Sequence, residues 1–148
     1  MELYLRKAKV SDAQALAGLL SELVNEPSDL CALEKQLAAI QEDSRYCLLV
    51  AEYHGKLAGT VMGVLCRDFC GGCRPFMVIE NMVVSPKFRR MQVGKQLFMR
   101  LEEWAGENGC AYAILVSSSH LSGAHQFYEQ LGYARHAGFR KYFDSLEP

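Results

Sequence analysis

The sequence predicts an α+β (mixed α/β) domain with helices packed on a central, mostly antiparallel sheet, and three observations lead there. Two runs with helical spacing lie near the N-terminus, three strand-like runs divided by glycine-bearing turns follow, and the second half alternates strand and helix patterns. Of 148 residues, 50% are hydrophobic and 22% charged, enough to bury one core without disulfide or metal staples. A formal net charge of -1 provides no basic excess for nucleic acid. No apolar run approaches a bilayer span and no leader pattern opens the chain, so the expectation is one cytoplasmic domain over residues 1–148.

Leu3 and Leu5 alternate with polar neighbours over Glu2 to Lys7, which predicts a first strand with one buried face. Ser11-Asp12-Ala13-Gln14 has capping-box spacing, and Leu16, Leu19, Leu20 and Leu23 continue it as a helix. Pro27-Ser28-Asp29 interrupts that helix and starts a second one, with Leu30, Leu33, Leu37 and Ile40 on one side. Tyr46 to Tyr53 reads as a strand, His54-Gly55-Lys56 as a turn, and Leu57 to Leu65 as the hairpin partner. Cys70-Gly71-Gly72-Cys73 and Pro75 turn the chain into a long apolar strand, Phe76 to Val84, closed by Ser85-Pro86.

A helix striped with Val93, Leu97, Leu101, Trp104 and Ala105 comes next, ending near Gly106 or Gly109. Ala111 to Val116 predicts a buried strand, and Ser122 caps a short helix bearing Phe127, Tyr128 and Leu131 with Gly132 as its left-handed terminator. Phe139 to Phe143 predicts a last strand, aromatic enough to serve as a pairing edge in a homodimer.

Six cysteines without a secretion signal read as reduced thiols, with Cys47 and Cys110 as small core residues. Cys66, Cys70 and Cys73 fit either thiols on a glycine-turned hairpin loop or three zinc ligands awaiting a fourth. A zinc ribbon needs a second knuckle that the chain lacks, and no metal is expected.

Chemistry concentrates between Phe76–Val84 and the next helix. Lys87, Arg89, Arg90 and Lys95 crowd four cations into nine residues at a helix start, where cations disfavour the helix unless an anion offsets them. Unpaired N–H groups at that start make it a phosphate or pyrophosphate site; otherwise the segment is a solvated basic loop. Neither G-x-x-x-x-G-K-[ST] nor G-x-G-x-x-G is present, so nucleotide hydrolysis and dinucleotide redox lose support.

Arg89-Arg90-Met91-Gln92-Val93-Gly94 resembles the acetyl-coenzyme A motif R/Q-x-x-G-x-G/A of the GNAT N-acetyltransferase superfamily. Ile79 to Pro86 is similar to the family's splayed fourth strand, and Ala124 to Tyr133 to its second motif, so the likeness covers nearly the whole chain. The resemblance implies about seven strands and four helices, with the sheet splayed between strands 4 and 5. It also implies cofactor contacts by Met82, Val83, Val84, Arg89, Arg90, Met91, Gln92, Val93, Gly94, Lys95, Ser119, Ala124, Phe127 and Tyr128. Gln92 replaces the family's first glycine; with ordinary helical dihedrals its side chain points outward while its N–H faces the phosphate. Leu121 stands where the family often has asparagine, so that hydrogen bond is either absent or supplied by Ser119 or Ser122.

The implied reaction is transfer of acetyl from acetyl-CoA to a primary amine of a small molecule through a tetrahedral intermediate. Tyr128 is the implied general acid toward sulfur, against the reading of an amphipathic core residue. Glu80, an acid inside an apolar strand, is the candidate base or a salt-bridge partner on an open face; water, His120 or His125 is the alternative base. The acceptor pocket is expected at Asn25 to Cys31 and Cys66 to Pro75, with Glu26, Asp29 and Asp68 drawing a cationic amine. A non-catalytic acyl-CoA module and a peptide N-acetyltransferase are the alternatives.

Overall fold

The computed structural model describes residues 2–117 and 122–144. Two compact units divide the chain, Met1–Leu115 and Val116–Pro148. In the first, β1 (Leu3–Lys7), β2 (Tyr46–Tyr53), β3 (Lys56–Cys66), β4 (Phe76–Val84) and β5 (Ala113–Ile114) form one sheet in sequence order. All neighbours are antiparallel except β4 and β5. α1 (Ala13–Val24) and α2 (Leu30–Gln41) precede β2, and α3 (Val93–Glu107) lies between β4 and β5. The second unit carries α4 (Ser122–Gln130), so four α-helices and five strands stand among the described residues, with two short 3-10 turns.

The β2–β3 hairpin closes through His54 and Gly55, both at positive φ (49° and 76°), the conformation that matches a two-residue turn to strand twist. A bulge leaves Ala58 without a partner on β2. Its carbonyl instead accepts the Ser85 N–H at 2.8 Å, which ties the exit of β4 to β3. Val93, Leu97, Phe98 and Leu101 of α3 are fully or almost fully buried on one sheet face. Leu16, Leu37 and Val50 form the core beneath α1 and α2 on the other, with Leu20, Leu33 and Leu48 against it. Glycines at 59 and 63 let α3 approach. A Cβ on Gly59 would stand 3.0 Å from the Val83 carbonyl oxygen and 3.1 Å from Val93 Cγ1.

Several expectations are corrected. Five strands are found among the described residues, where about seven were expected. Phe139 to Phe143 is not a strand: it has no ladder partner among those residues, and Phe139 and Phe143 are both 96% exposed. Ala111 to Val116 yields only the two-residue β5, because its ladder with β4 is confined to Met77–Ala113 and Val78–Ile114; just ahead of it Ala111 N–H donates to the Pro75 carbonyl and Met77 N–H to the Tyr112 carbonyl. Ile114 and Val116 are exposed rather than buried. Ser11 does not cap α1. Asp12 closes the turn instead, its carboxylate accepting the Lys9 N–H at 2.7 Å, because Val10–Asp12 forms a 3-10 turn ahead of the helix. Asp29 caps α2 through Ala32 N–H at 3.0 Å.

Candidate functional site

β4 changes character halfway along. Thr60 faces Val83 while Met62 faces Glu80, so Val61 stands opposite both Asn81 and Met82. Asn81 takes up the extra residue at φ 55°, a left-handed conformation that asparagine tolerates better than most side chains. The insertion reverses the alternation. Ile79 pairs with Gly63 and Val84 with Gly59, so both lie on the α3 face although five residues apart. Glu80 falls on the opposite face, exposed, with no ion pair among the described residues.

On its other edge β4 pairs with β5 only at Met77–Ala113 and Val78–Ile114. From Ile79 to Val84 that edge has no ladder partner among the described residues, as expected for a sheet splayed between strands 4 and 5. An extended ligand bearing amide groups can add to such an edge as a strand.

The edge runs directly into the cationic turn. A 3-10 turn at Pro86–Phe88 leads to extended Arg89, then Arg90 at φ 65° and Gln92 at φ 61° on either side of Met91. This alternation in the sign of φ turns successive N–H groups toward one side, the arrangement that holds anions. It also corrects the expectation of helical dihedrals at Gln92: the residue is the left-handed N-cap of α3, without a side-chain capping bond. That left-handed backbone stops the right-handed helix from extending back through Gln92, so α3 begins at Val93, which is buried. Gly94 and Lys95 complete its first turn, which contains no acidic residue. Lys87, Arg89, Arg90 and Lys95 are exposed, and none joins an ion pair among the described residues. Phe88 braces the turn from behind, its ring edge-on to Tyr53 at 5.8 Å.

Within the second unit, α4 presents Ala124, His125, Phe127 and Tyr128 as half-buried residues. Tyr128 lies edge-on to Phe127 at 5.4 Å and to Tyr133 at 6.4 Å. Burial pushes its phenol pKa above the usual value, so the hydroxyl keeps its proton at neutral pH. Gly132 adopts φ 94° and ends the helix as expected, while Tyr133 N–H donates to the Tyr128 carbonyl at 3.0 Å. Ser119, His120 and Leu121 lie outside the described residues, as does the Ser122 side chain.

Two of the three expected acceptor acids have structural partners. Asp29 is the α2 cap, and Asp68 accepts Phe69 N–H at 2.8 Å, shaping the hairpin loop. Glu26 is exposed between the first two helices. Cys66, Cys70 and Cys73 do not converge: among the described residues no three His, Cys, Asp or Glu side chains are grouped to hold a metal. All six thiols are unpaired, and burial pushes Cys47 and Cys110 upward in pKa. What the sequence reading passed over is Asn81. Its signal was an asparagine within a run of β-formers, a residue type suited to a positive-φ bulge.

A cleft of about 450 Å³ opens beside the bulge, between α1, α2 and the sheet, with Asn81, Met62, Leu33 and Gln36 in its wall. Its size suits a small molecule.

Comparison with known proteins agrees with this geometry. Residues 14–133 match the model of the acetyltransferase (GNAT) family. A glucosamine 6-phosphate N-acetyltransferase of Trypanosoma brucei brucei is 32% identical over 92% of this chain and 92% of its own length. An uncharacterized N-acetyltransferase of Bacillus subtilis strain 168 is 31% identical over 93% of this chain and 94% of its own. Among solved structures, the glucosamine-6-phosphate N-acetyltransferase of Arabidopsis thaliana superposes with a TM-score of 0.86 at 26% identity, covering 97% of this chain and 100% of that one.

Proposed function

The chain belongs to the GNAT acetyltransferase family as an acetyl-CoA-dependent N-acetyltransferase, and we propose that its acceptor is a primary amine on a small molecule, acetylated by direct attack on the thioester. The observation that supports this most is the continuity of two features. The open edge of β4 over Ile79 to Val84 leads, through one 3-10 turn at Pro86–Phe88, into the N–H-presenting turn at Arg89 to Lys95. Pantetheine amides fit the first and pyrophosphate the second. Met82, Val83 and Val84 would hold the arm, and Arg89 through Lys95 the phosphates, with the exposed cations shielding their charge.

The neutral amine attacks the thioester carbonyl carbon, forming a C–N bond and a tetrahedral oxyanion that a β4 backbone N–H stabilises. Collapse breaks the C–S bond, and the thiolate takes the Tyr128 phenol proton. Glu80, directly or through water, accepts the proton lost by the amine nitrogen. Residues 1–148 act as one acetyltransferase domain in this reading, with Ser119, Ala124 and Phe127 completing the cofactor contacts. Six unpaired thiols suit the reducing cytoplasm as the place of action.

The test measures free thiol released from acetyl-CoA across a panel of small amines, amino acids and peptides. Turnover with a small amine, lost on replacing both Arg89 and Arg90 by Glu through a higher KM for acetyl-CoA, is the expected result. Thiol release that depends on peptides alone would overturn the small-molecule assignment. Cofactor binding without any turnover would instead favour an acyl-CoA binding module.

A further inference from the structure

Resting on the acetyltransferase reading above, we propose that the acceptor carries its amine on an apolar, aryl or alkyl skeleton that lies in the cleft between α1, α2 and the sheet. Leu16, Leu20, Leu33, Ile40, Leu48 and Met62 make half of that lining, and Leu37 and Ala39 add to its apolar share. Asp43 is its one charged group, and the charge is already engaged: Arg45 donates to its carboxylate at 2.8 and 3.1 Å, and Arg45 N–H at 3.0 Å. Gln36, Tyr46 and Asn81 supply a few uncharged polar groups at the walls.

A phosphorylated amine needs cations or converging N–H groups to offset its charge once water is displaced. No cation is among the residues lining this cleft: Arg45 is engaged with Asp43 at its edge, and three others line a different one. Arg6, Lys7 and Lys9 border a cavity of about 650 Å³ on the β1 flank of α2. Leu37, Ile40, Asp43, Tyr46 and Leu48 border both cavities, so the C-terminal half of α2, seated on β2, forms the wall between them. The apolar cleft is the one that reaches Asn81, next to Glu80 and Met82 at the bulge. An amine delivered there meets the thioester end of the β4 edge while its skeleton covers Leu20, Leu33 and Met62.

The experiment uses the full chain and acetyl-CoA with phenethylamine, tryptamine and hexylamine against 2-aminoethylphosphonate and glucosamine 6-phosphate, reading kcat/KM for each. Apolar amines should lead by about tenfold or more, since each well-placed methylene contributes roughly that factor. Leu33→Lys, which sets a cation in the cleft wall, should lower kcat/KM for the apolar amines about tenfold or more. Glu34→Lys, the same charge placed on an exposed α2 position outside the cleft lining, should keep it, with thermal unfolding reporting that both variants fold. Equal or better turnover of the phosphorylated amines by the native chain overturns the apolar assignment and leaves the acetyltransferase reading standing. An unchanged apolar-amine kcat/KM in folded Leu33→Lys overturns the use of this cleft. Acetylation of no amine in the panel or of any broader set overturns both.

Discussion

The carbonyl oxygen of Gln92 accepts the first hydrogen bond of α3, from the Gln96 N–H at 3.0 Å, while Gln92 itself sits left-handed at φ 61°. A side chain in that conformation costs about 1–2 kcal/mol, and glycine's greater freedom in the unfolded chain offsets about 0.5–1 kcal/mol of the gain from removing it. Gln92→Gly should therefore raise unfolding stability by about 0.5–1 kcal/mol, and β-branched Gln92→Val should lower it. Denaturant unfolding separates the two. A destabilised Gln92→Gly would show that the glutamine side chain contributes more than its backbone strain removes.

Gly63→Ala tests how closely α3 sits on the sheet. The new Cβ would stand 2.8 Å from both Leu101 Cδ1 and Met77 Sδ, on side chains that are themselves completely buried. Overpacking of this kind costs about 1–3 kcal/mol. Gly18→Ala, in α1 with nothing within 4 Å of the added carbon, should go the other way and stabilise by up to about 1 kcal/mol. Thermal unfolding of the two variants should move in opposite directions.

How much of this was legible in the sequence depended on whether a feature is local. Apolar periodicity located α3, and β2 and β4 appear at their predicted bounds, because turn residues such as His54-Gly55 and Ser85-Pro86 close them. The cationic turn was legible from charge alone. The bulge at Asn81 was not, since it exists only through the register of β4 against β3. Nor was the left-handed Gln92, because one residue before an apolar stripe reads equally well as the first turn or as the cap. The short β5 shows the same limit from the other side: Ala111 to Val116 has the composition of a strand, but its ladder with β4 forms only two residue pairs.

Arg6 makes acid sensitivity a second test of the fold. Its guanidinium grips Asp12 through both nitrogens at 2.7 and 2.8 Å and reaches Glu52 at 3.1 Å, joining β1, the turn before α1 and β2. The bidentate contact holds the Asp12 carboxyl below its ordinary range, and the Lys9 N–H adds to this. Lowered folded-state pKa means that the unfolded chain binds the proton first. The contribution is therefore complete above the unfolded pKa of about 3.9 and is lost as pH falls through the lower folded value. Asp12→Asn should cost about 2 kcal/mol at pH 7 and flatten the acid limb of stability against pH. Parallel acid limbs for the variant and the native chain would remove Asp12 from that role.

Tyr128→Phe asks whether the half-buried phenol is chemistry or packing. Loss of a general acid slows a proton-dependent step by about 10²–10⁴-fold, so kcat should fall in that range while KM for acetyl-CoA changes little. Burial raises the phenol pKa, so the protonated acid persists beyond pH 10, where an ordinary tyrosine is half ionised. The native rate should accordingly hold on the alkaline side past that point before it falls, and the phenylalanine variant should lack that decline. Stability gives the control: Phe keeps the ring contacts with Phe127 and Tyr133, so unfolding should shift by no more than about 1 kcal/mol. A variant with native kcat would mean that solvent protonates the departing thiolate, leaving Tyr128 as a core residue of α4. A variant with native stability and a collapsed kcat assigns it the proton.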